Sequence, residues 1–280
     1  MHQIGFMQGR LSEMINGKIQ SFPWQTWRNE FELAKKIKIP LMEWTLDQNE
    51  LYKNPFMCKD GQLEISNLSI KNNLQIKSIT GDCFMQYPFW RAGINKYDRQ
   101  NLIDDFTNII DSCGHLNVSI LVIPLVDGGS LKSQKEENFL IKVLNEHRTL
   151  LDENSVSIAF ESDYNPRKLK KFIERLDPNF FGINYDIGNS ASLNFNIDEE
   201  FQCFGERIIN VHIKDRLLGG ATVPLGSGNA NFEKVFYNLF DKNYSGNFIL
   251  QTARDYNGRH SEAINIYMNK TKEWLSKYGS

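Results

Sequence analysis

Short β-prone runs alternate with longer segments of helical periodicity along the whole chain. Such alternation predicts parallel strand pairing, with the helices outside the sheet. Eight strands of this kind predict an α/β fold, a single (β/α)8 TIM barrel that spans residues 1–280. The predicted strands are Gln3–Gln8, Pro40–Thr45, Gln75–Thr80, Val118–Pro124, Ser155–Glu161, Phe181–Asp186, Arg207–Lys214 and Gly246–Gln251. The predicted helices include Trp27–Lys38, Lys96–His115, Ser133–Leu151, Pro166–Leu176, Phe232–Lys242 and Glu262–Lys277.

Within the later predicted strands, one face is apolar and the other is small or polar. In Ser155–Glu161, for example, one face carries Ser157, Ala159 and Glu161, whereas the other carries apolar side chains. The apolar face can pack on outer helices while the other points into a barrel. An open sheet covered on both sides would favour apolar residues on both faces. The irregular stretches Tyr52–Gly61 and Asp82–Gly93 are expected to be loops on the active-site rim.

Composition excludes several classes of function. The formal net charge is -2, from 32 basic and 34 acidic side chains, which gives no electrostatic reason to expect nucleic acid as a partner. There is no run of about 18 apolar residues, so no membrane span is expected, and the first ten residues lack the apolar stretch of a secretion signal. The four cysteines are scattered, which favours reduced thiols in a cytoplasmic protein.

Four polar residues end predicted strands and belong to their polar faces: Glu161, Asp186, His212 and Gln251. Because parallel strands end at the same rim of a barrel, these side chains are expected to meet there. Two carboxylates, an imidazole and an amide oxygen suit one divalent metal ion such as Mn, Zn, Co or Mg. The alternative, four unrelated polar strand ends, is less consistent with their equivalent positions.

Seven segments spread over nearly the whole chain form a recognisable set: Met7–Leu11, Ile19–Trp24, Met42–Thr45, Phe160–Glu161, Tyr185–Asn189, Val211–Asp215 and Leu250–Arg254. Together they resemble the sugar phosphate isomerase/epimerase group of the xylose-isomerase-like barrels. The resemblance implies a barrel whose metal is held by Glu, Asp, His and usually a second Glu, at positions that match Glu161, Asp186, His212 and Gln251. It also implies a small sugar or sugar phosphate as the substrate.

Two residues depart from the pattern of this group. Gln251 stands where the sugar epimerases usually have the second of two glutamates that exchange a proton with carbon from opposite faces. A glutamine oxygen can bind a metal but cannot accept that proton at neutral pH. Asn189 stands where many relatives have a histidine, at a position that is expected to read a substrate hydroxyl. A one-base mechanism therefore remains, in which Glu161 removes a proton next to a metal-bound oxygen.

Further candidates lie near the same strand ends. Lys214 could carry a second proton or only hydrogen-bond to substrate, and Glu43 could orient a hydroxyl, act as an acid or form a structural ion pair. Arginine side chains near the rim could bind a phosphate or carboxylate through paired N–H bonds, or could simply be solvated. These arginines are Arg10, Arg216 and Arg254.

Three other functions compete with an isomerase or epimerase. A related branch of barrels cleaves DNA with three metals, but that chemistry needs many histidines at strand ends, and His212 is the one well-placed histidine of five. A metal-dependent dehydratase, similar to the inosose dehydratases, is the nearest enzymatic alternative. A barrel that binds a sugar without turning it over is the third. A homo-oligomer is possible for each of these.

Overall fold

A closed barrel of eight parallel strands forms the centre of the computed structural model, which describes residues 2–15, 17–255 and 257–279. The (β/α)8 barrel predicted from the sequence is confirmed. The strands are β1 Ile4–Met7, β2 Leu41–Thr45, β3 Gln75–Thr80, β4 Ile120–Leu125, β5 Ser157–Ser162, β6 Phe181–Asp186, β7 Ile208–Ile213 and β10 Phe248–Leu250. Around the barrel their order is β1, β10, β7, β6, β5, β4, β3, β2. Two short strands outside the barrel, β8 Asp215–Arg216 and β9 Thr222–Val223, form an antiparallel pair.

Helices follow the strands and cover the barrel from outside. They are α1 Trp27–Ile37, α2 Lys59–Asn72, α3 Asp82–Gln86, α4 Lys96–His115, α5 Gln134–Glu146, α6 Arg148–Asn154, α7 Pro166–Ile173, α8 Ile187–Ser192, α9 Ile197–Phe204, α10 Phe232–Asp241 and α11 His260–Tyr278. Short 3-10 helices span Leu51–Lys53, Pro55–Met57, Asp127–Gly129 and Gly205–Arg207.

Local sequence signals set many of these helix starts. An asparagine or serine side chain accepts a hydrogen bond from the backbone N–H three residues later, which satisfies one of the donors that a helix leaves unpaired at its start. Asp186 does the same for α8 by accepting from the N–H of Asn189 at 2.8 Å. A metal-ligand candidate therefore also starts a helix. The asparagine and serine caps are Asn95, Ser133, Asn165, Asn196 and Asn231.

Three predicted segments differ from the structure. The single helix predicted for Ser133–Leu151 is two helices, α5 and α6. They meet at His147, whose ring bonds to the carbonyl of Val143 and to the hydroxyl of Thr107. The stretch Tyr52–Gly61 is not a loop throughout, since it holds the end of one 3-10 helix, the whole of a second and the start of α2. Asp82–Gly93 likewise begins with the short helix α3.

The predicted division of the strands into an outer and an inner face agrees with the packing. Outward side chains pack on helices, as Phe160 of β5 does on Phe172 of α7, with ring centroids 5.2 Å apart. Met7, Leu41 and Ile249 form a separate buried cluster.

No described helix is long and apolar enough to cross a membrane, and all four cysteines are free thiols.

Candidate active site and metal centre

A cavity of about 550 Å³ opens at the carboxyl ends of the strands. Its wall includes Glu161, Lys214 and Gln251, which come from β5 and from the segments that follow β7 and β10. A second groove of about 440 Å³ lies near α2 and the start of β3, and Lys77 is the one charged side chain on its wall. Since the titratable groups gather in the first cavity, that cavity is the candidate active site.

Three of the four predicted metal ligands meet beside this cavity. Glu161, Asp186 and His212 are buried and each offers a ligand atom within 4.8 Å of the others. The parallel register places Asp186 of β6 directly beside His212 of β7, which explains their proximity. Gln251 lines the cavity immediately after β10, and its Oε1 accepts a hydrogen bond from Lys214.

His212 is fully buried between two carboxylates. Its Nε2 lies 2.8 Å from Glu43 Oε1, and its Nδ1 lies 3.2 Å from Glu161 Oε2. Asn184 Nδ2 also lies 3.0 Å from Nδ1. If Nε2 carries the proton and donates to Glu43, the lone pair of Nδ1 faces Glu161. This is the carboxylate–histidine arrangement that orients metal ligands in many proteins.

The carboxylates also determine the charge of this group. Burial alone would lower the pKa of His212, but the adjacent Glu43 and Glu161 raise it to about 10. Burial would raise the pKa of Glu161, yet the hydrogen bond and charge of His212 hold it below its usual value. For Asp186 burial outweighs the attraction of Lys214, so its pKa is raised. Without a metal, His212 is therefore an imidazolium that neutralises part of the carboxylate charge.

Glu43 lies behind His212 and is not part of the cavity wall. Its carboxylate is fully buried and accepts hydrogen bonds from Ser78 Oγ at 2.6 Å and Asn210 Nδ2 at 2.9 Å, in addition to its contact with His212. Asn210 Nδ2 also donates to Asn184 Oδ1 at 2.9 Å. This buried network holds the Glu43 carboxylate against the ring of His212.

Lys214 lies among the predicted ligands. Its Nζ donates to Asp186 Oδ2 and to Gln251 Oε1, at 3.1 Å each, and to Asn189 Oδ1 at 3.3 Å. Two predicted ligand atoms thus bond to an ammonium group of the protein itself. Asn189 connects the same groups to Glu161, because its Nδ2 donates to Glu161 Oε1 at 2.6 Å.

The three arginines have different surroundings. Arg216 lines the cavity, and its guanidinium donates to Asn189 Oδ1 at 2.7 Å and to the carbonyl of Gly220. Arg10 also lines the cavity, while two of its nitrogens donate to the carbonyls of Ile19 and Thr252. Arg254 is not on the cavity wall and donates to carbonyl groups of Gly9, Ser12 and Ile19. Arg216 and Arg10 can thus face a substrate, and Arg254 holds the loop after β1.

Sequence reasoning missed Asp82, a buried carboxylate on the cavity wall. It follows β3 after one glycine and opens α3. Its position directly after a predicted strand is a signal for a site residue, whereas the sequence pattern predicts only a rim loop for this segment. The hydrogen-bonding roles of Asn184 and Asn210 were also missed, although both belong to the predicted polar faces.

The residues present fit a divalent metal ion. Glu161, Asp186 and His212 provide carboxylate oxygens and an imidazole nitrogen within reach of one another, which suits Mn, Zn, Co or Mg. The amide oxygen of Gln251 fits less well as it stands, because it is bonded to Lys214. The structure thus favours a three-residue ligand set, to which Gln251 could add only if Lys214 moved away.

Comparisons with known proteins agree with this geometry. A family model described as a xylose isomerase-like TIM barrel matches residues 31–276. A putative L-ribulose-5-phosphate 3-epimerase of Haemophilus influenzae is 25% identical over 267 residues, which cover 89% of this chain and 88% of the relative. An L-ribulose-5-phosphate 3-epimerase of Escherichia coli is 21% identical over 243 residues, covering 82% and 85%.

Solved structures show the same fold at low sequence identity. The zinc-bound IolI protein has a TM-score of 0.76 at 17% identity, with 99% of both chains covered. D-psicose 3-epimerase from Clostridium cellulolyticum H10, solved with D-tagatose, has a TM-score of 0.74 at 12% identity and covers 98% of this chain and 99% of its own. The names of the relatives confirm the prediction of an enzyme of the sugar isomerase and epimerase type.

Proposed function

The chain belongs to the xylose isomerase-like TIM barrel family, and from that premise we propose that it is a metal-dependent isomerase or epimerase of a small sugar or sugar phosphate. The observation that carries this proposal is the convergence of Glu161, Asp186 and His212 beside one cavity at the strand ends. The named relatives support the substrate class, because two of them are L-ribulose-5-phosphate 3-epimerases.

Glu161, Asp186 and His212 would hold the ion, with Gln251 as a further candidate. A bound divalent ion would supply positive charge that lowers the pKa of a C–H group next to a substrate carbonyl. Glu161 is the proposed base, since it is an ionised carboxylate on the cavity wall. The amides of Asn184 and Asn189 donate to its two oxygens and would fix its orientation.

Cationic groups on the wall support an anionic substrate. Arg216, Arg10 and Lys214 all line the cavity, and a phosphate or carboxylate is the group that arginine binds through paired N–H bonds. We therefore favour a sugar phosphate over a free sugar. Nucleic acid and membranes are not expected as partners, a cytoplasmic location is proposed, and homo-oligomer formation stays a prediction.

The proposal is tested by hydrogen exchange with the solvent. Metal-loaded protein is incubated in deuterium oxide with L-ribulose 5-phosphate, D-tagatose or D-fructose, and deuterium in the recovered sugar is measured by mass spectrometry. Glu161→Gln should lower the exchange rate by about 10²–10⁴, since that is the usual contribution of a general base. Glu153→Gln, an exposed change on α6, should exchange like the wild type.

A lower exchange rate in Glu161→Gln could result from loss of the base or from loss of the metal ion. The metal content of the same preparations distinguishes these two explanations. If Glu161→Gln holds metal and exchanges at the wild-type rate, Glu161 is a ligand only. A product that has lost water would favour the dehydratase alternative. If the wild type exchanges hydrogen with no sugar or sugar phosphate of the panel, the non-catalytic sugar-binding barrel gains the advantage, which Gln251 would then explain.

A further inference from the structure

Asp82 is a buried carboxylate that the proposed mechanism does not yet use. It lies between β3 and α3, with 7% of its surface exposed, on the wall of the cavity that Glu161 also lines. Glu161 approaches this cavity from β5, two strands away in the barrel order. The two carboxyl groups therefore reach one cavity from the ends of two different strands.

Asp82 has few contacts that would explain its burial on structural grounds. Thr80 Oγ donates to Asp82 Oδ1 at 3.3 Å, and no ion pair in the described part of the chain includes Asp82. Buried carboxylates are ordinarily paired with a cation or several donors. This one keeps an oxygen available beside the cavity.

The groups around Asp82 favour its protonated form. Burial, followed by the negative charges of Asp47 and Glu161, raises its pKa to about 8, against the opposing effects of Thr80 and Arg10. Asp82 thus carries a proton at neutral pH, whereas Glu161 is ionised. Two carboxyl groups on one cavity wall, one protonated and one not, can divide the roles of acid and base.

We propose that Asp82 is the second proton carrier of an epimerisation, in the role that Gln251 cannot fill. This inference rests on the proposed function. Neither other candidate meets the requirement as well, because Glu43 lies behind His212 off the cavity wall and Lys214 is bonded to Asp186, Asn189 and Gln251.

The proton transfers balance without a further reactant. The Glu161 carboxylate takes the proton of the carbon beside the carbonyl, and the electron pair of that C–H bond forms the C=C bond of an enediolate. The Asp82 carboxyl then gives its proton to the same carbon from the other side, and the carbonyl forms again. Glu161 ends protonated and Asp82 ionised, and exchange with water restores both. The reverse reaction uses the two groups in opposite roles.

The test separates exchange from epimer formation in Asp82→Asn. Metal-loaded protein is incubated with L-ribulose 5-phosphate in deuterium oxide, and both deuterium uptake and the ratio of epimers are followed. The amide resembles the protonated acid in shape and charge but has no proton to deliver, so the variant should fold. We expect exchange through Glu161 to persist while epimer formation falls by about 10²-fold or more.

Asp152→Asn is the matched control. This aspartate is exposed on α6 and does not line the cavity. It should form the epimer at nearly the wild-type rate. A second measurement is the pH profile in the direction in which Asp82 donates: the wild-type rate should fall above about pH 8, and Asp82→Asn should lack this decline.

Three outcomes would overturn the inference, and they are distinguishable. If Asp82→Asn forms the epimer at the wild-type rate, Asp82 carries no proton. If it loses exchange and epimer formation together, with metal content and melting temperature unchanged, Asp82 positions the substrate or Glu161 instead. If the wild type exchanges deuterium but forms no epimer, the one-base isomerase stands and Asp82 has no second step to serve. A wild type that exchanges hydrogen with no sugar or sugar phosphate of the panel removes the proposed function itself.

Discussion

Lys214 shows how a single side chain can compete with a metal ion. Its ammonium group bonds to Asp186 and Gln251, two of the predicted ligands. A divalent ion at this position would meet a positive charge only a few ångströms away, and Gln251 lacks the charge to offset that repulsion. Gln251, which replaces the usual glutamate, and the ammonium group of Lys214 therefore act in the same direction, since each weakens the attraction of the site for a divalent ion.

We predict that Lys214→Met binds Zn²⁺ or Mn²⁺ more tightly than the wild type, by roughly tenfold, because it removes the competing charge. Calorimetric titration of metal-free protein measures the effect. Lys270→Met is a suitable control, since Lys270 donates to the carbonyl of Leu225 away from the cavity. Weaker binding by Lys214→Met would mean that Lys214 holds Asp186 in place and does not compete.

The sequence predicts some site residues better than others, for a physical reason. Glu161, Asp186 and His212 end parallel strands, and strand ends must meet at one rim whatever the details of packing. The partners of Asn184 and Asn210 come from other strands, so they depend on a register that periodicity does not reveal. Asp82 belongs to no strand, and it is buried at the start of α3, which packs against β4.

At the scale of elements, α8 and α9 are linked through one buried carboxylate. Glu200 of α9 accepts hydrogen bonds from Tyr185 at the end of β6 (2.8 Å) and from Ser190 of α8 (2.7 Å). It is 2% exposed, and burial raises its pKa to about 7 although both hydrogen bonds oppose the shift. The helix that follows Asp186 is thereby held against the barrel.

Glu200 should make stability depend on pH. In the folded state it keeps its proton up to about pH 7, whereas the unfolded chain releases it near pH 4.5, so stability falls as the pH rises through this window. Glu200→Gln should lose this dependence and gain up to roughly 3 kcal/mol over the wild type above pH 7. Urea unfolding at pH 5 and pH 8 measures the difference.

The control is Glu199→Gln, one residue earlier on α9. Glu199 lies at the surface and pairs with Arg167, and exposed pairs contribute little to stability. It should follow the wild-type dependence on pH. If the stability of Glu200→Gln depends on pH as strongly as that of the wild type, groups other than Glu200 cause the dependence.

Strands and helices could be predicted from the sequence where their apolar residues lie on one face. The strands agree with the prediction to within a few residues, and in the later strands an apolar face alternates with a small or polar one. The helix α2 was missed because its apolar residues do not lie on one face: Ile65 is buried, while Leu63 and Ile70 are 64% and 81% exposed. The helices α3 and α8, with five and six residues, are too short for periodicity to reveal them.

At the scale of the whole molecule, the barrel closes at β1, which pairs with β2 on one side and β10 on the other. Gly5 lies in this strand beside Leu41 and Ile249. A Cβ atom at Gly5 would come within 2.8 Å of the Leu41 carbonyl oxygen and 3.0 Å of Ile249 Cδ1. The absence of a side chain here permits the close approach of three strands.

Gly5→Ala should therefore destabilise the protein by about 1–3 kcal/mol, the usual cost of overpacking a core. Chemical unfolding with a common baseline gives the change in the free energy of unfolding. Gln75→Ala, at an exposed position in β3, should stay near the wild-type value. A neutral effect of Gly5→Ala would show that β1 and β2 can separate slightly without cost.

The place of β10 between β1 and β7 also determines the order in which the protein can be completed during translation. Before Phe248–Leu250 leave the ribosome, β1 and β7 each have one unpaired edge. The seven strands made by then can form only an open sheet. Such edges can pair with other chains and lead to aggregation. Gln251 and Arg254 come directly after β10, the strand that closes the barrel. The growing chain therefore gains the last residue of the cavity wall, Gln251, together with Arg254, which holds the loop after β1.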